Sequence, residues 1–362
     1  VIAAWRKSKP GQALRKACRY VGSFQSVRLD PNRPANTQIK AHLHWHYAEP
    51  RQLTITEAQI LQSFPEGYRF KGTKGDAKER IGNSVPPLLM KAIAENIRKA
   101  PFMQMVKDPT VVSTFAGCGG SSLGYRMAGY RELLAVEWDS NAVETFRLNF
   151  PGVPVYHGDI GKLAVDECMR LAGLHGPGEL DVLDGSPPCQ GFSTAGKRKL
   201  TDSRNTLFRE YVRLLRGLRP KVFVMENVTG LVKGYMKTVY LEMVRELRAS
   251  GYVVKGQVMN AMYYGVPQSR QRVIVIGVRE DLGVGPSHPK PVSKPMRLKD
   301  AIPSFDKQAS KQASKQASKQ ASKQASKQAR SRAVTAVQRQ VCAPVGSRAG
   351  RRGCRGRDRE GI

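Results

Sequence analysis

The chain has 362 residues, 40% of them hydrophobic, and a formal net charge of +31. That length can bury a real core in one large domain or two smaller ones. No apolar run approaches the roughly 18–20 residues of a membrane-spanning helix. Six scattered Cys with no CxxC pair argue against a disulfide-stapled secreted domain and for a reducing, cytoplasmic setting. From Asp306 onward six Lys and nine Arg face three acids, a net of +12, which leaves +19 for the residues before it. A body that basic points to a polyanion such as nucleic acid, or else to a solubilising surface. No secretory signal opens the chain, and a first residue Val1 reads as a fragment or an unusual start codon.

Residues 1–50 are basic and irregular, with "RLDPNRPANT" and "HLHWHY" as turns and short extended pieces. Residues 51–100 look helical in two places. "TITEAQILQSF" begins with Thr54 or Thr56 as a cap and has Glu57 in its first turn. "SVPPLLMKAIAENIRKA" opens with Pro-Pro and sets Leu89, Ile93 and Ile97 at four-residue steps. "PFMQMVKDP", residues 101–109, reads as a linker. Residues 110–280 alternate apolar runs with amphipathic stretches. "TVVSTF", "ELLAVEW", "LDVLDG", "KVFVMEN" and "RVIVIGV" are predicted strands, with helices such as "NTLFREYVRLLRGL" and "VYLEMVRELRAS" between them. This pattern predicts an α/β domain with a mostly parallel sheet. Regular order ends after about residue 300, where a four-residue word, KQAS, repeats through 307–330 and a basic tail runs over 331–362.

Four segments could carry chemistry. "VVSTFAGCGGSSLGYRMAG" reads as strand, glycine-rich turn and helix; Gly117, Gly119 and Gly120 allow a tight turn and close approach of a ligand. Glu137 follows 20 residues past Gly117 and could hold two ribose hydroxyls. Ser122 stands where the last glycine of GxGxxG would fall, so the segment fits an adenosine-bearing cofactor or simply a tight turn. In "LDVLDGSPPCQGFS", Cys189 lies just beyond a strand in a loop stiffened by Pro187 and Pro188, where open α/β sheets bind ligands. It reads as a nucleophile or as a small buried hydrophobe, and its Gly, Ser and Gln neighbours disfavour a dry core. Glu226, in "VFVMENVTGL", should open onto the same sheet edge, as a solvated carboxylate or as an acid with a pKa raised by burial. Arg270 and Arg272, in "GVPQSRQRVIVIG", alternate on one face and could form surface ion pairs or clamp anionic or carbonyl oxygens.

Taken together, "FAGCGG", "GSPPCQGFS", "ENV" and "QSRQR" resemble the DNA (cytosine-5) methyltransferases. "EPRQLTITEAQILQSFPEGYRF" and "RIGNSVPPLL" resemble that family's last two motif blocks, so the resemblance covers roughly residues 27–300. It implies a Rossmann-like fold that binds S-adenosyl-L-methionine, with a small, incomplete target-recognition region and a disordered C-terminal tail. Phe115 matches an aromatic on the adenine, Glu137 and Trp138 the ribose and adenine contacts, and Asp159 and Ile160 in "HGDI" the adenine-edge pair. Gly117, Cys118, Gly119 and Gly120 form the loop against the cofactor, Asn83, Ser84 and Val85 match the block on its other side, and Pro188 and Leu207 cover it. Ser113 departs from the family's Asp, which would loosen the grip on the cofactor's methionine part without abolishing binding. The implied catalytic set is Cys189, Glu226, Arg270 and Arg272. A Cys189 thiolate adds at C6 of a flipped cytosine, Glu226 bonds N3, and Arg272 with Arg270 holds O2. Double-stranded DNA is the implied partner, with a cognate restriction endonuclease possible beside it and no membrane.

The blocks stand in an unusual order. The Asn83 block, which closes the chain in the family, here precedes the cofactor loop, so the chain reads as circularly permuted, with new ends inside the target-recognition region. Residues 1–50 then form a partial target-recognition segment, 51–100 the closing motif blocks, 110–280 the catalytic domain and 281–306 the lead into target recognition. The KQAS word drifts about 40° per copy against a 3.6-residue period and makes no constant helix face. The codons AAG-CAA-GCA-AGC spell it and are one tetranucleotide repeated, which suggests slippage, phase-variable expression and an out-of-frame tail lacking Leu, Phe, Tyr, Trp and Lys. Other readings are an idle product that binds cofactor without target recognition, and an RNA cytosine-5 methyltransferase. A Rossmann oxidoreductase would leave Cys189 with Glu226 unexplained. His42, His44 and His46 would share a strand face, but no further ligand cluster argues for a metal.

Overall fold

A computed structural model describes residues 2–13, 27–40, 43–188 and 206–302. Cys189, the KQAS repeat and the basic tail lie outside the described residues. In chain order the elements are α1 (Ile2–Lys7), β1 (Ala35–Asn36), α2 (Ile55–Leu61), α3 (Lys74–Asn83), α4 (Pro87–Arg98) and α5 (Pro101–Gln104). There follow β2 (Thr110–Thr114), α6 (Gly120–Met127), β3 (Arg131–Glu137), α7 (Ser140–Asn149), β4 (Val155–His157), α8 (Val165–Ala172) and β5 (Val182–Gly185). The remainder are α9 (Thr206–Leu218), β6 (Val222–Val228), α10 (Met236–Arg248), β7 (Tyr252–Asn260), β8 (Gln268–Ser269), β9 (Gln271–Arg279) and α11 (Leu298–Ala301).

Seven strands form one sheet in the order β4-β3-β2-β5-β6-β9-β7. The pairs from β4 to β6 are parallel, and β9 runs antiparallel to both β6 and β7. The five predicted strands are the apolar runs of this sheet, buried on both faces as a parallel sheet between helices requires. Because β5, in the middle, points the same way as β2 and β6, the turns after Thr114, Gly185 and Val228 open at one edge.

Each face has its own core. On one, Val112, Leu134 and Phe223 of the strands pack with Cys168, Phe208, Leu215, Met243 and Leu247 from α8, α9 and α10. On the other, Val111, Val182, Val224 and Ile274 pack with Leu89, Met90, Ile93 and Ile97 of α4 and Tyr125 of α6. A helix from the amino-terminal block thus packs on a sheet face built from residues 110–280. The predicted stripe Leu89, Ile93, Ile97 is the buried face of that helix. Its approach to α6 is close because position 124 is glycine. A Cβ there would stand 2.6 Å from both Met90 Cβ and the Pro87 carbonyl.

Several local expectations change. Thr54, not Thr56, caps α2, in a capping box with Glu57. A third helix, α3, lies in the 51–100 block, capped by Thr73 and Asp76. The stretch read as a linker contains α5, whose Met103 is buried. The irregular amino-terminal region is packed: Trp5 Nε1 donates to the His46 carbonyl at 2.9 Å, and the Arg28 guanidinium sits 4.0 Å over the Trp5 ring. Leu29, Leu43, Leu53, Leu61 and Ile81 share a third core with Leu298 and Ile302. The two pieces read as the flanks of a target-recognition region, 1–50 and 281–306, therefore meet in this core, through Leu29 and Leu43 on one side and Leu298 and Ile302 on the other.

Candidate active site

The first part of the site is the turn between β2 and α6. Phe115, Gly117 and Gly119 all take positive φ, at 54°, 56° and 89°. Glycine adopts these angles freely, whereas Phe115 is strained there, as residues at functional sites often are. The turn is anchored by Glu137 at the end of β3. Its Oε2 accepts the Gly117 N–H at 2.7 Å, and Oε1 accepts the N–H groups of Trp138 and Asp139 at 3.0 and 2.9 Å. Asp159 turns its own loop, with Oδ1 accepting the Gly161 N–H at 2.9 Å. Together these loops bound a cavity of about 420 Å³, walled by Phe115, Val136, Glu137, Trp138, Asp159, Ile160, Pro188 and Leu207. Trp138 is 76% exposed and stands at its rim.

This cavity continues into a second space of about 370 Å³ that also touches Phe115, Glu137, Trp138 and Pro188. Asn83, Ser84 and Val85, at the end of α3, close it opposite Gly117, Cys118 and Gly120. The contact is tight, since a Cβ at Gly120 would meet the Val85 carbonyl at 2.4 Å. Cys118 supports the loop from within. Its Sγ lies 3.0 Å from Ser84 Oγ, its carbonyl accepts from Tyr68 Oη, and burial pushes its thiol up to about 11. The residues singled out for the cofactor therefore line these joined spaces, except Gly119, which lines neither: a Cβ there would meet the rings of Phe150 and Phe146 and the Tyr68 hydroxyl.

A third cavity, about 270 Å³, adjoins these at Pro188. It is lined by Gly82, Asn83, Ser186, Pro187, Glu226, Asn227, Arg270 and Arg272. Glu226 Oε1 meets Arg272 Nε at 2.7 Å. Asn227 Nδ2 donates to the Pro187 carbonyl at 3.0 Å, tying the loop that leads to Cys189 to the end of β6. Cys189 itself lies outside the described residues, one position past Pro188.

The expected Arg270–Arg272 clamp divides into two different roles. Arg270 is 1% exposed and bonds the backbone carbonyls of Gln38 and Gly82, both at 2.9 Å. Burial, and the charge of Arg272, bring its guanidinium down to about 9. It braces chain segments, while Arg272 alone faces Glu226. Of the readings of Glu226, a solvated carboxylate does not fit, because its side chain is largely buried and paired with the Arg272 guanidinium. The histidines serve local structure: His44 Nε2 lies 3.0 Å from the Thr37 carbonyl, and His46 Nδ1 accepts the N–H groups of Ala48 and Glu49 at 3.2 Å. His42 lies outside the described residues. Among the described residues, no group of three or more His, Cys, Asp or Glu is arranged to hold a metal ion, and no helix is long and apolar enough to cross a membrane.

The protein-family model for C-5 cytosine-specific DNA methylases matches residues 3–99 and 110–349. Type II methyltransferase M.XorII of Xanthomonas oryzae pv. oryzae is 40% identical over 196 residues, which are 54% of this chain and 46% of that protein. M.AquIA of Picosynechococcus is 38% identical over 210 residues, 56% of this chain and 84% of that protein. M.DdeI of Desulfomicrobium norvegicum is 43% identical over 176 residues, 47% of this chain and 41% of that protein. The chain thus spans less than half the length of M.XorII and M.DdeI, and most of M.AquIA.

The two arginines should separate in a urea titration. Arg270→Ala uncaps two buried carbonyls and should cost about 1–3 kcal/mol for each. Arg272→Ala should cost less, about 2 kcal/mol in all, because it removes one charge-assisted bond and leaves Glu226 on the wall of a cavity. Equal losses in the two variants would contradict the division of roles.

Proposed function

The chain belongs to the C-5 cytosine-specific DNA methylase family, and from that membership and the joined cavities we propose that it methylates C5 of cytosine in duplex DNA, using S-adenosylmethionine. The observation that carries the reading is the meeting at Pro188 of a long, partly apolar cavity and a polar one holding Glu226 and Arg272.

The residues of the long cavity fit the cofactor. Phe115, Val136, Ile160 and Leu207 offer apolar walls for an adenine, and Trp138 a ring to stack on it. Glu137 is buried where a ribose would lie; three backbone N–H groups fill three of its about four acceptor sites, which leaves one on Oε2 for a hydroxyl donor. The amino-acid end would run between the glycine loop and residues 83–85. When bound, S-adenosylmethionine supplies a methyl group activated by a sulfonium.

The protein's task is to make C5 nucleophilic. A cytosine inside a duplex is out of reach, so the base has to leave the stack. In the polar cavity Glu226, protonated once the base has entered, would donate to N3, and Arg272 to the O2 oxygen, drawing electron density from C6. The Cys189 thiolate would then add at C6 and place that density on C5. C5 takes the methyl group with S-adenosylhomocysteine as the leaving group; solvent water takes the C5 proton, and the electron pair of that bond expels the sulfur from C6 as the Cys189 thiolate, which restores the ring. Arg272 holds the Glu226 carboxyl in one orientation before the base arrives. The +19 charge before Asp306 supports phosphate contacts that would hold the duplex meanwhile. A Type II relationship also makes a restriction endonuclease of the same site a fitting companion.

We read the chain as circularly permuted. In support, α4 packs on α6 beside β2, so a short connection through residues 99–109 suffices to join the Asn83 block to the cofactor loop. Residues of the two segments read as flanking target recognition, Leu29 and Leu43 within 1–50 and Leu298 and Ile302 within 281–306, also share one core.

Purified chain should transfer a labelled methyl group to unmethylated duplex DNA. Cys189→Ala should abolish transfer, and Glu226→Gln should slow it by about a hundredfold or more. Transfer that survives Cys189→Ala would exclude covalent catalysis by that sulfur. A wild-type chain that binds cofactor but transfers to no DNA would contradict the proposed activity.

The KQAS repeat supports variable expression of the gene by slippage in a tetranucleotide tract. Sequencing should find AAGC repeated without interruption through codons 307–329 and into the first two bases of codon 330, where Arg330 fits a codon beginning AG. Mixed synonymous codons would exclude the idea.

A further inference from the structure

Ser113 occupies the position where the resemblance leads to an expected Asp. The carboxylate missing there is present one strand away. Ser113 on β2 and Asp184 on β5 are register partners in a parallel pair, so their side chains leave the sheet on the same face. That face is covered by α6. Ser122 Oγ donates to Ser113 Oγ at 3.3 Å, and Asp184 accepts from Ser121 Oγ at 2.6 Å and from Tyr125 Oη at 3.3 Å. Asp184 and Ser121 line the space that Asn83, Ser84 and Val85 close from the opposite side. We propose that Asp184 supplies the carboxylate that Ser113 lacks and binds the α-ammonium at the amino-acid end of S-adenosylmethionine, an inference that rests on the cofactor reading above.

Three features favour this assignment. Asp184 is 3% exposed, and among the described residues the two side-chain donors that hold it are neutral hydroxyls, so no described cation balances its charge and an entering ammonium would provide one. Burial accordingly pushes the carboxyl up to about 7, with the Glu226 charge adding to the rise and the Ser121 and Tyr125 hydroxyls opposing it. The same two hydroxyls come from successive turns of α6, the helix that the glycine loop opens, so the carboxylate is oriented before the ligand arrives. Glu132, the other buried acid beside Ser113 and Ser122, lines neither part of the cofactor cavity.

Calorimetry on the full chain tests this with two ligands that share the adenosine end. S-adenosylhomocysteine carries the amino-acid end; 5′-methylthioadenosine does not. Asp184→Asn should weaken S-adenosylhomocysteine by about ten- to a hundredfold. It should leave 5′-methylthioadenosine within about twofold of wild type, which also reports an intact fold. Adding Ser113→Asp to Asp184→Asn should recover the lost affinity. Equal weakening of both ligands, no weakening of S-adenosylhomocysteine, or no recovery in a double variant that melts with wild type would overturn the proposal. A wild-type chain that binds neither ligand would instead remove the cofactor reading on which it rests.

Discussion

Arg270 gives up almost all its hydration and gains bonds to two carbonyls from distant parts of the chain, Gln38 and Gly82, while its Nε stays buried without a partner among the described residues. A buried cation is tolerated only where its hydrogen-bond partners are in place, so the position of those carbonyls is narrowly fixed. Gln268, two residues earlier, works the same way. Its Oε1 accepts the Gln38 N–H at 2.9 Å, and its Nε2 donates to the Leu61 carbonyl and Gln62 Oε1 at 3.0 and 2.8 Å. Thr37 Oγ1 adds a bond to the Ser269 carbonyl, and β1 pairs with β8 alongside. The consequence is positional. With Gly82 held, Asn83, Ser84 and Val85 stand over the glycine loop, and Gly82 and Asn83 form one wall of the Glu226–Arg272 cavity. Glycine is needed at 82 because a Cβ there would stand 2.4 Å from the backbone at Ile39 and Lys40.

The strain and charge of the site rest on that frame. Phe115 keeps a positive φ because Glu137 pins the next turn by the Gly117 N–H and because α6 is locked against α4. A turn held this way presents its backbone to a ligand without reorganising, which is what positioning for methyl transfer requires. Pro188 is the hinge point of the geometry rather than of any motion: it borders every part of the site, and the chain beyond it leads directly to Cys189.

How much of this could be read from sequence depended on where each residue's partners lie. The central strands were legible because burial on both faces writes an unbroken apolar run. β7 was not, because it is an edge strand whose Lys255, Gly256 and Gln257 face solvent. β4, with three residues, and the polar helix α3 carry too little periodicity to stand out. Glu226 and Glu137 were found as carboxylates ending apolar runs, and the cavities bring both to the sheet edge expected of them. Arg270 was misjudged because alternation with Arg272 suggested a shared face, while its actual partners are separated from it by 232 and 188 residues. Asp184 did leave a signal that was passed over: an acid inside the apolar run "LDVLDG" has to find polar company, and Ser121 with Tyr125 is where it found it.

The most direct measurement is a crystal structure of the full chain with S-adenosylhomocysteine. The adenine should lie against Trp138 and Ile160, the ribose on Glu137, and the amino-acid end between the glycine loop and Asn83–Val85. A ligand that binds elsewhere, or that makes no contact with residues 83–85, would contradict the claim that the amino-terminal block completes the site.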